Sequence, residues 1–216
     1  MRKTLLALAA VAAFSAVPAN ASLIVNGGFE SQPVSSSAGY QTYSGSGVTG
    51  WNIPFLTVDV VSSSFAGPAF EGSQYLDLVG LGSIGQIEQT FATVVGQAYT
   101  LTFAYANNAL STPSAEANVQ VIGGNTLVNV NFAHDSSAPG ALDWSTYTTT
   151  FTAETAATTL QFTNFIGGNN GGVLLDAVDV AAVPEPSLWA TMIAGFGMIG
   201  VALRRRRQRG AMLNAI

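Results

Sequence analysis

Between Tyr99 and Tyr105 every second residue is large and apolar, and Thr100, Thr102 and Ala104 fill the gaps. Side chains on an extended chain alternate between faces, so this period of two predicts a strand buried on one side. The pattern returns at Tyr147, Thr149 and Phe151, set among Thr146, Thr148, Thr150 and Thr152, and again at Leu160 and Phe162. Val119–Ile122 and Thr126–Phe132 flank Gly123-Gly124-Asn125, which supplies the positive φ of a hairpin turn. No segment between residues 22 and 183 sustains a 3.6-residue period. Thr, Val, Tyr and Phe at this density predict an all-β, antiparallel sandwich. The loops, such as 31–50, 62–72 and 167–172, are rich in Gly, Ser, Asn and Pro.

Charge narrows the partners. Hydrophobic residues make up 48% of the 216-residue chain and charged residues 9%, far below the roughly 25% of an average soluble domain. There is no cysteine, which removes disulfides, thiolate zinc sites and thiol nucleophiles. All seven basic residues lie at the ends: Arg2, Lys3, Arg204–Arg207 and Arg209. Residues 22–183 hold eleven acids and no Lys or Arg. Without cations to displace counterions, nucleic acids, nucleotides and anionic lipid surfaces are poor partners for this stretch. Neutral or sparsely charged ligands and divalent cations remain.

Both termini carry topological signals. Arg2 and Lys3 precede an apolar run from Leu5 to Val17, and Ala19-Asn20-Ala21 offers the small residues that a signal peptidase accepts. Residues 1–21 are therefore expected to be a signal peptide, cleaved before Ser22. At the other end Leu188–Leu203 has no charge and runs straight into Arg204-Arg205-Arg206-Arg207. Sixteen helical residues rise about 24 Å, short of a hydrocarbon core of roughly 30 Å. The stretch is expected to form a single short transmembrane helix, with Trp189 at one interface and the arginines snorkelling to the cytoplasmic one.

Pro184, Glu185 and Pro186, then Trp189-Ala190, an apolar stretch and Arg204, Arg205, Arg206 and Arg207 together resemble the PEP-CTERM sorting signal. The resemblance implies recognition by an exosortase-type membrane enzyme and export across the inner membrane of a Gram-negative bacterium. It also implies a transient membrane anchor, followed by residence at the outer surface or in an exopolysaccharide or biofilm matrix. The division expected is 22–182 for the domain, 183–209 for the sorting and anchor segment and 210–216 for a tail.

Asn26-Gly27-Gly28-Phe29-Glu30, Gly50-Trp51, Gly72–Leu78, Gly85–Phe91 and Leu174–Val180 resemble, in order, the bacterial choice-of-anchor C proteins and their plant cell-wall relatives. These belong with the galactose-binding-like jelly rolls, so the resemblance implies a jelly-roll β-sandwich that binds carbohydrate polymer.

Candidate residues follow. Alternation places Asp176 on one face with Leu174, Val178 and Val180, a buried carboxylate with no Lys or Arg to pair with. A structural Ca²⁺ would resolve this, since it binds carboxylates and carbonyls; acceptance of backbone or hydroxyl hydrogen bonds would do so as well. Related jelly rolls place such an ion between residues matching Glu30 and Asp176. Sugars stack on aromatic faces, and Tyr40, Tyr43 and Trp51 are the ligand-binding candidates, with core packing as the alternative for Trp51. His134 and Asp135 are adjacent and so point opposite ways, and there is no Gly-x-Ser-x-Gly nucleophile motif. No catalytic residue is assigned and a non-enzyme is expected. The alternatives are a structural envelope protein without a ligand, or a glycan hydrolase, which needs only two carboxylates.

Overall fold

The computed structural model describes residues 21–34, 37–82, 84–166, 171–184, 192–201 and 204. Its strands are β1 (Tyr40–Gly45), β2 (Asn52–Ser62), β3 (Gln74–Asp77), β4 (Gln86–Ala92), β5 (Ala98–Asn107), β6 (Ala115–Gly123), β7 (Asn125–His134), β8 (Ser145–Thr152), β9 (Ala157–Ile166) and β10 (Val173–Ala182). The alternating segments become β5, β8 and β9, and the Gly-Gly-Asn turn joins β6 to β7, with Gly124 at φ 82°.

All strand pairs are antiparallel and form two layers, β1-β2-β3-β10-β5-β8 and β2-β4-β9-β6-β7. Strand β2 belongs to both. Its start, at Asn52 and Phe55, pairs with β4, and Asp59–Ser62 pair with β3. Between them Leu56 has a φ of 55°, a conformation that L-residues with bulky side chains resist and that bends the strand from one layer to the other.

The main core lies between the layers. Val58, Val60, Leu76, Leu101, Phe103, Leu175 and Val180 meet Ile87, Phe91, Val119, Val121, Leu160 and Phe162 there. A smaller cluster of Val61, Tyr75, Ala106, Leu142 and Leu174 sits on the outer face of the first layer, with Ala69 and Trp144 packed against it. The alternate residues of β2, β3, β5 and β10 thus meet a second apolar cluster in place of water.

β10 departs from the strict alternation expected of it. Ala177 has φ 48°, and the pairing with β5 slips between Asp176 and Asp179. This bulge advances the strand by one residue, which exchanges its faces. Val178 and Val180 enter the main core with Leu175, while Asp176 shares the outer face with Leu174. Gly27 presses on the bulge: Val178 N donates to Gly27 O at 3.1 Å, and a Cβ on Gly27 would lie 1.9 Å from Val178 O. Only glycine fits that approach, which explains the first Gly of the Asn-Gly-Gly-Phe-Glu segment.

Near the C-terminus residues 192–201 and 204 are helical. Among the described residues no helix is long and apolar enough to cross a membrane. Most of the expected flanks of the span lie outside the described residues.

Candidate functional site

Two sets of acids lie on the outer side of the first layer. The first set grips the segment leading into β3. Glu30 accepts hydrogen bonds from Ser73 N (2.7 Å), Ser73 Oγ (2.8 Å) and Gln74 N (2.7 Å). Burial works against its charge, but these donors together outweigh burial and hold its carboxyl below the ordinary value. Gly72 has φ 63°, and a Cβ there would meet Glu30 Oε1 at 2.3 Å. Asp176 holds the same segment from the strand beneath, accepting from Glu71 N at 3.0 Å and from Ala177 N at 2.7 Å. Asp176 is fully buried. Burial pushes its carboxyl up to about 7, and the neighbouring Glu71 charge adds to the shift against the backbone hydrogen bonds.

The acid beside Asp176 is therefore Glu71, and Glu30 is committed to Ser73 and Gln74. A Cβ on Gly28 would lie 2.8 Å from Glu71 Oε1 and 3.7 Å from Asp176 Oδ1, so the two carboxylates flank one small-residue position. Hard oxygens with no compensating base fit a divalent cation such as Ca²⁺. No group of three His, Cys, Asp or Glu side chains suited to a metal occurs among the described residues, so a cation here would take backbone carbonyls as well. Glu71 could not be singled out from sequence, because its closeness to Asp176 spans 105 residues of chain.

The second set floors a cavity of about 190 Å³ lined by Tyr40, Asp59, Val61, Phe65, Asp77, Leu81 and Asn108, with Leu110 and Ser111 at its edge. Asp59 and Asp77 are register partners across β2 and β3. Asp77 Oδ1 accepts from Val79 N (2.9 Å) and Gly172 N (3.0 Å), and its Oδ2 accepts from Asn108 Nδ2 (2.7 Å). Burial nevertheless pushes its carboxyl up to about 7. Asp59 is 8% exposed, and its Oδ1 has no hydrogen-bond partner. Burial raises its carboxyl also, with the Thr42 hydroxyl acting the other way. The rim is apolar and open to solvent at Phe65, Leu81 and Leu110.

Of the aromatic candidates only Tyr40 reaches this cavity; it is 36% exposed and its ring centroid lies 5.3 Å from that of Phe65. Tyr43 is half-buried against the main core and donates its hydroxyl to Pro33 O. Trp51 is 3% exposed, with Phe29 and Phe162 at 5.7 and 6.5 Å and its indole N–H on Asn26 O. It is a core residue with no open face for a sugar. His134 is buried, its Nδ1 2.8 Å from Asn107 Oδ1. In the sorting motif Pro184 and Arg204 are exposed. Glu185, Pro186, Trp189, Arg205, Arg206 and Arg207 lie outside the described residues.

Residues 22–181 match the family described as "Protein of unknown function (DUF642)", and residues 182–207 match the PEP-CTERM protein-sorting motif. Over 170 residues the chain is 32% identical to Halomucin of Haloquadratum walsbyi (strain DSM 16790 / HBSQ001), spanning 76% of this chain and 2% of that much longer protein. Among solved structures, TmCBM61 in complex with β-1,4-galactotriose superimposes with a TM-score of 0.51 at 18% identity, covering 76% of this chain and 99% of that one. A family 16 carbohydrate binding module gives 0.46 at 19% identity, over 74% of this chain and 99% of its own. The fold shared with TmCBM61 is an antiparallel β-sandwich.

Proposed function

Since this chain belongs to the DUF642 family and carries a PEP-CTERM tail that marks it for export and surface sorting, we propose that its sandwich is a carbohydrate-binding module displayed at the cell surface. The cavity beside Tyr40 is its sugar-contact site. The observation that carries this reading is the cavity's make-up: exposed aromatic and aliphatic walls around a buried carboxylate oxygen that no protein group satisfies. Sugars are recognised in this way, by hydrocarbon faces on rings and polar groups on hydroxyls. A solved module of the same fold holds a β-1,4-galactotriose, which supports a glycan as the ligand class.

The module is proposed to bind and not to cleave. A hydrolase needs two working carboxylates, whereas both oxygens of Asp77 are taken by three N–H donors, and among the described carboxylates lining the cavity Asp59 is the one with an unpartnered oxygen. Calcium at Asp176 and Glu71 is proposed as a structural ion that steadies the segment leading into β3. The polymer is proposed to belong to the envelope or matrix outside a Gram-negative cell.

Affinity electrophoresis of the purified full chain through gels holding single polysaccharides checks the binding. At least one non-anionic polymer should retard it, and Tyr40→Ala should abolish the retardation. Any retardation by highly anionic polymers should be unaffected by Tyr40→Ala, because residues 22–183 have no base and the basic residues of the chain lie at its ends. Migration unaffected by every polymer would leave a purely structural envelope protein.

Sorting has its own measurement. With Pro184, Glu185 and Pro186 ahead of the arginines, exosortase-type processing should remove the tail in the native host. Mass spectrometry of the surface or released protein should find no peptide beyond about residue 188. Abundant mature protein still carrying Arg204–Arg207 would contradict this.

A further inference from the structure

The cavity's acids set a requirement that an uncharged sugar meets only in part. Asp59 stands directly opposite Asp77, and like charges facing each other across a ladder repel. Thr42, on the other side of Asp59, brings only a hydroxyl. Among the described residues every ionisable group lining the cavity is acidic: Asp59, Asp77 and the phenol of Tyr40. Asp77 is provided for by its three N–H donors. Asp59 is not, since its Oδ1 is buried and unpartnered, and a buried carboxylate oxygen without a donor is a standing cost to the fold.

Three kinds of ligand could supply the missing donor or charge. A calcium ion takes six to eight oxygens, but Tyr40, Val61, Phe65, Leu81 and Leu110 make much of this wall hydrocarbon. A hydroxyl would satisfy Asp59 as an acceptor and leave two adjacent carboxylates without a counter-charge. A primary ammonium supplies both the N–H donor and the charge. The carbon frame bearing it would lie against Tyr40 and Phe65, whose ring faces attract cations. The volume of about 190 Å³ is below the roughly 300–1,000 Å³ of clefts that enclose drug-sized ligands, so it accepts one small unit of a longer chain.

We propose that this cavity binds the protonated amino group of an amino-sugar residue, with the ammonium on Asp59 and the sugar ring against Tyr40 and Phe65. The proposal rests on the carbohydrate-binding reading of the same cavity and adds the charge of the sugar it selects.

Isothermal titration of the purified full chain tests it, at fixed ionic strength, with glucosamine and galactosamine tetrasaccharides in free-amine and fully N-acetylated forms. Acetylation removes the charge and keeps the ring. At least one free-amine oligomer should bind about tenfold or more tighter than its acetylated form. Asp59→Asn, which keeps shape and removes charge, should erase that preference. The acetylation comparison needs no variant and stands even where Asp59→Asn fails to fold. Equal affinity for both forms would overturn the ammonium assignment and leave the carbohydrate reading intact. A preference that survives Asp59→Asn in a folded variant would overturn the placement on Asp59. Butylammonium binding as tightly as the best tetrasaccharide would remove the sugar from the proposal. Absence of binding to these oligomers together with no retardation by any polysaccharide would overturn both readings.

Discussion

Chelation of divalent cations should lower the melting temperature of the purified chain by about 10 °C relative to millimolar calcium. A ligand present at about a thousand times its dissociation constant stabilises the folded state by about 4 kcal/mol. For a domain of this size each kcal/mol is worth about 2–4 °C. The structural reason is the pairing of Asp176 with Glu71 around Gly28, where two carboxylates meet with no base to offset them. Asp176→Asn should abolish the calcium response and Glu71→Gln should weaken it. Glu30→Gln should keep the response while destabilising the fold, because Glu30 serves Ser73 and Gln74. Superimposable melting curves with chelator and with calcium would remove the ion from the account.

Raising the pH from 5.5 to 8 in the presence of chelator should cost about 2 kcal/mol through Asp77 alone, or about 5 °C in melting temperature. The carboxyl of Asp77 is pushed up to about 7 in the fold, against 3.8 for a free carboxyl. An acid whose pKa is raised on folding takes up protons as the chain folds, so stability falls as pH rises. Its contribution is full below about pH 4, declines through the folded value near 7 and is gone above it. Asp77→Asn should flatten this part of the profile whatever it does to absolute stability, which is the reason to compare slopes. A wild-type melting temperature that climbs over this range would contradict the assignment.

How much of this could be read beforehand depended on whether the information was local. β5, β8 and β9 were legible because one face of each meets the main core, and period two is written directly into Tyr99–Tyr105 and its counterparts. The hairpin at Gly124 was legible because a positive φ has a residue signature. β10 was legible as a strand but its facing was not, since a single residue in the left-handed region, Ala177, carries no such signature and yet moves Val178 and Val180 to the opposite face from Asp176. The acids followed the same rule. Asp176 drew notice through its own apolar neighbours, whereas Glu71 and the Asp59–Asp77 pair exist only once loops and register are fixed. Trp51 shows the reverse difficulty: the ring chemistry that suits sugar stacking also suits a core, and only burial separates the two.

The course of β10 also sets the direction in which the domain is presented. At its start Leu174 is the register partner of Asp77, and Gly172 O accepts from Asn108 N, so this end touches the cavity. At its finish Val183 N donates to Ala98 O, and Val180 O accepts from Leu23 N. The segment at Leu23 and the one entering the sorting tail therefore lie at the same end of β10. Ten extended residues cover about 33 Å. A chain held at its tail would carry its cavity toward the opposite end of β10. On the proposed reading, removal of the tail would then change where the protein goes without altering the end that carries the cavity.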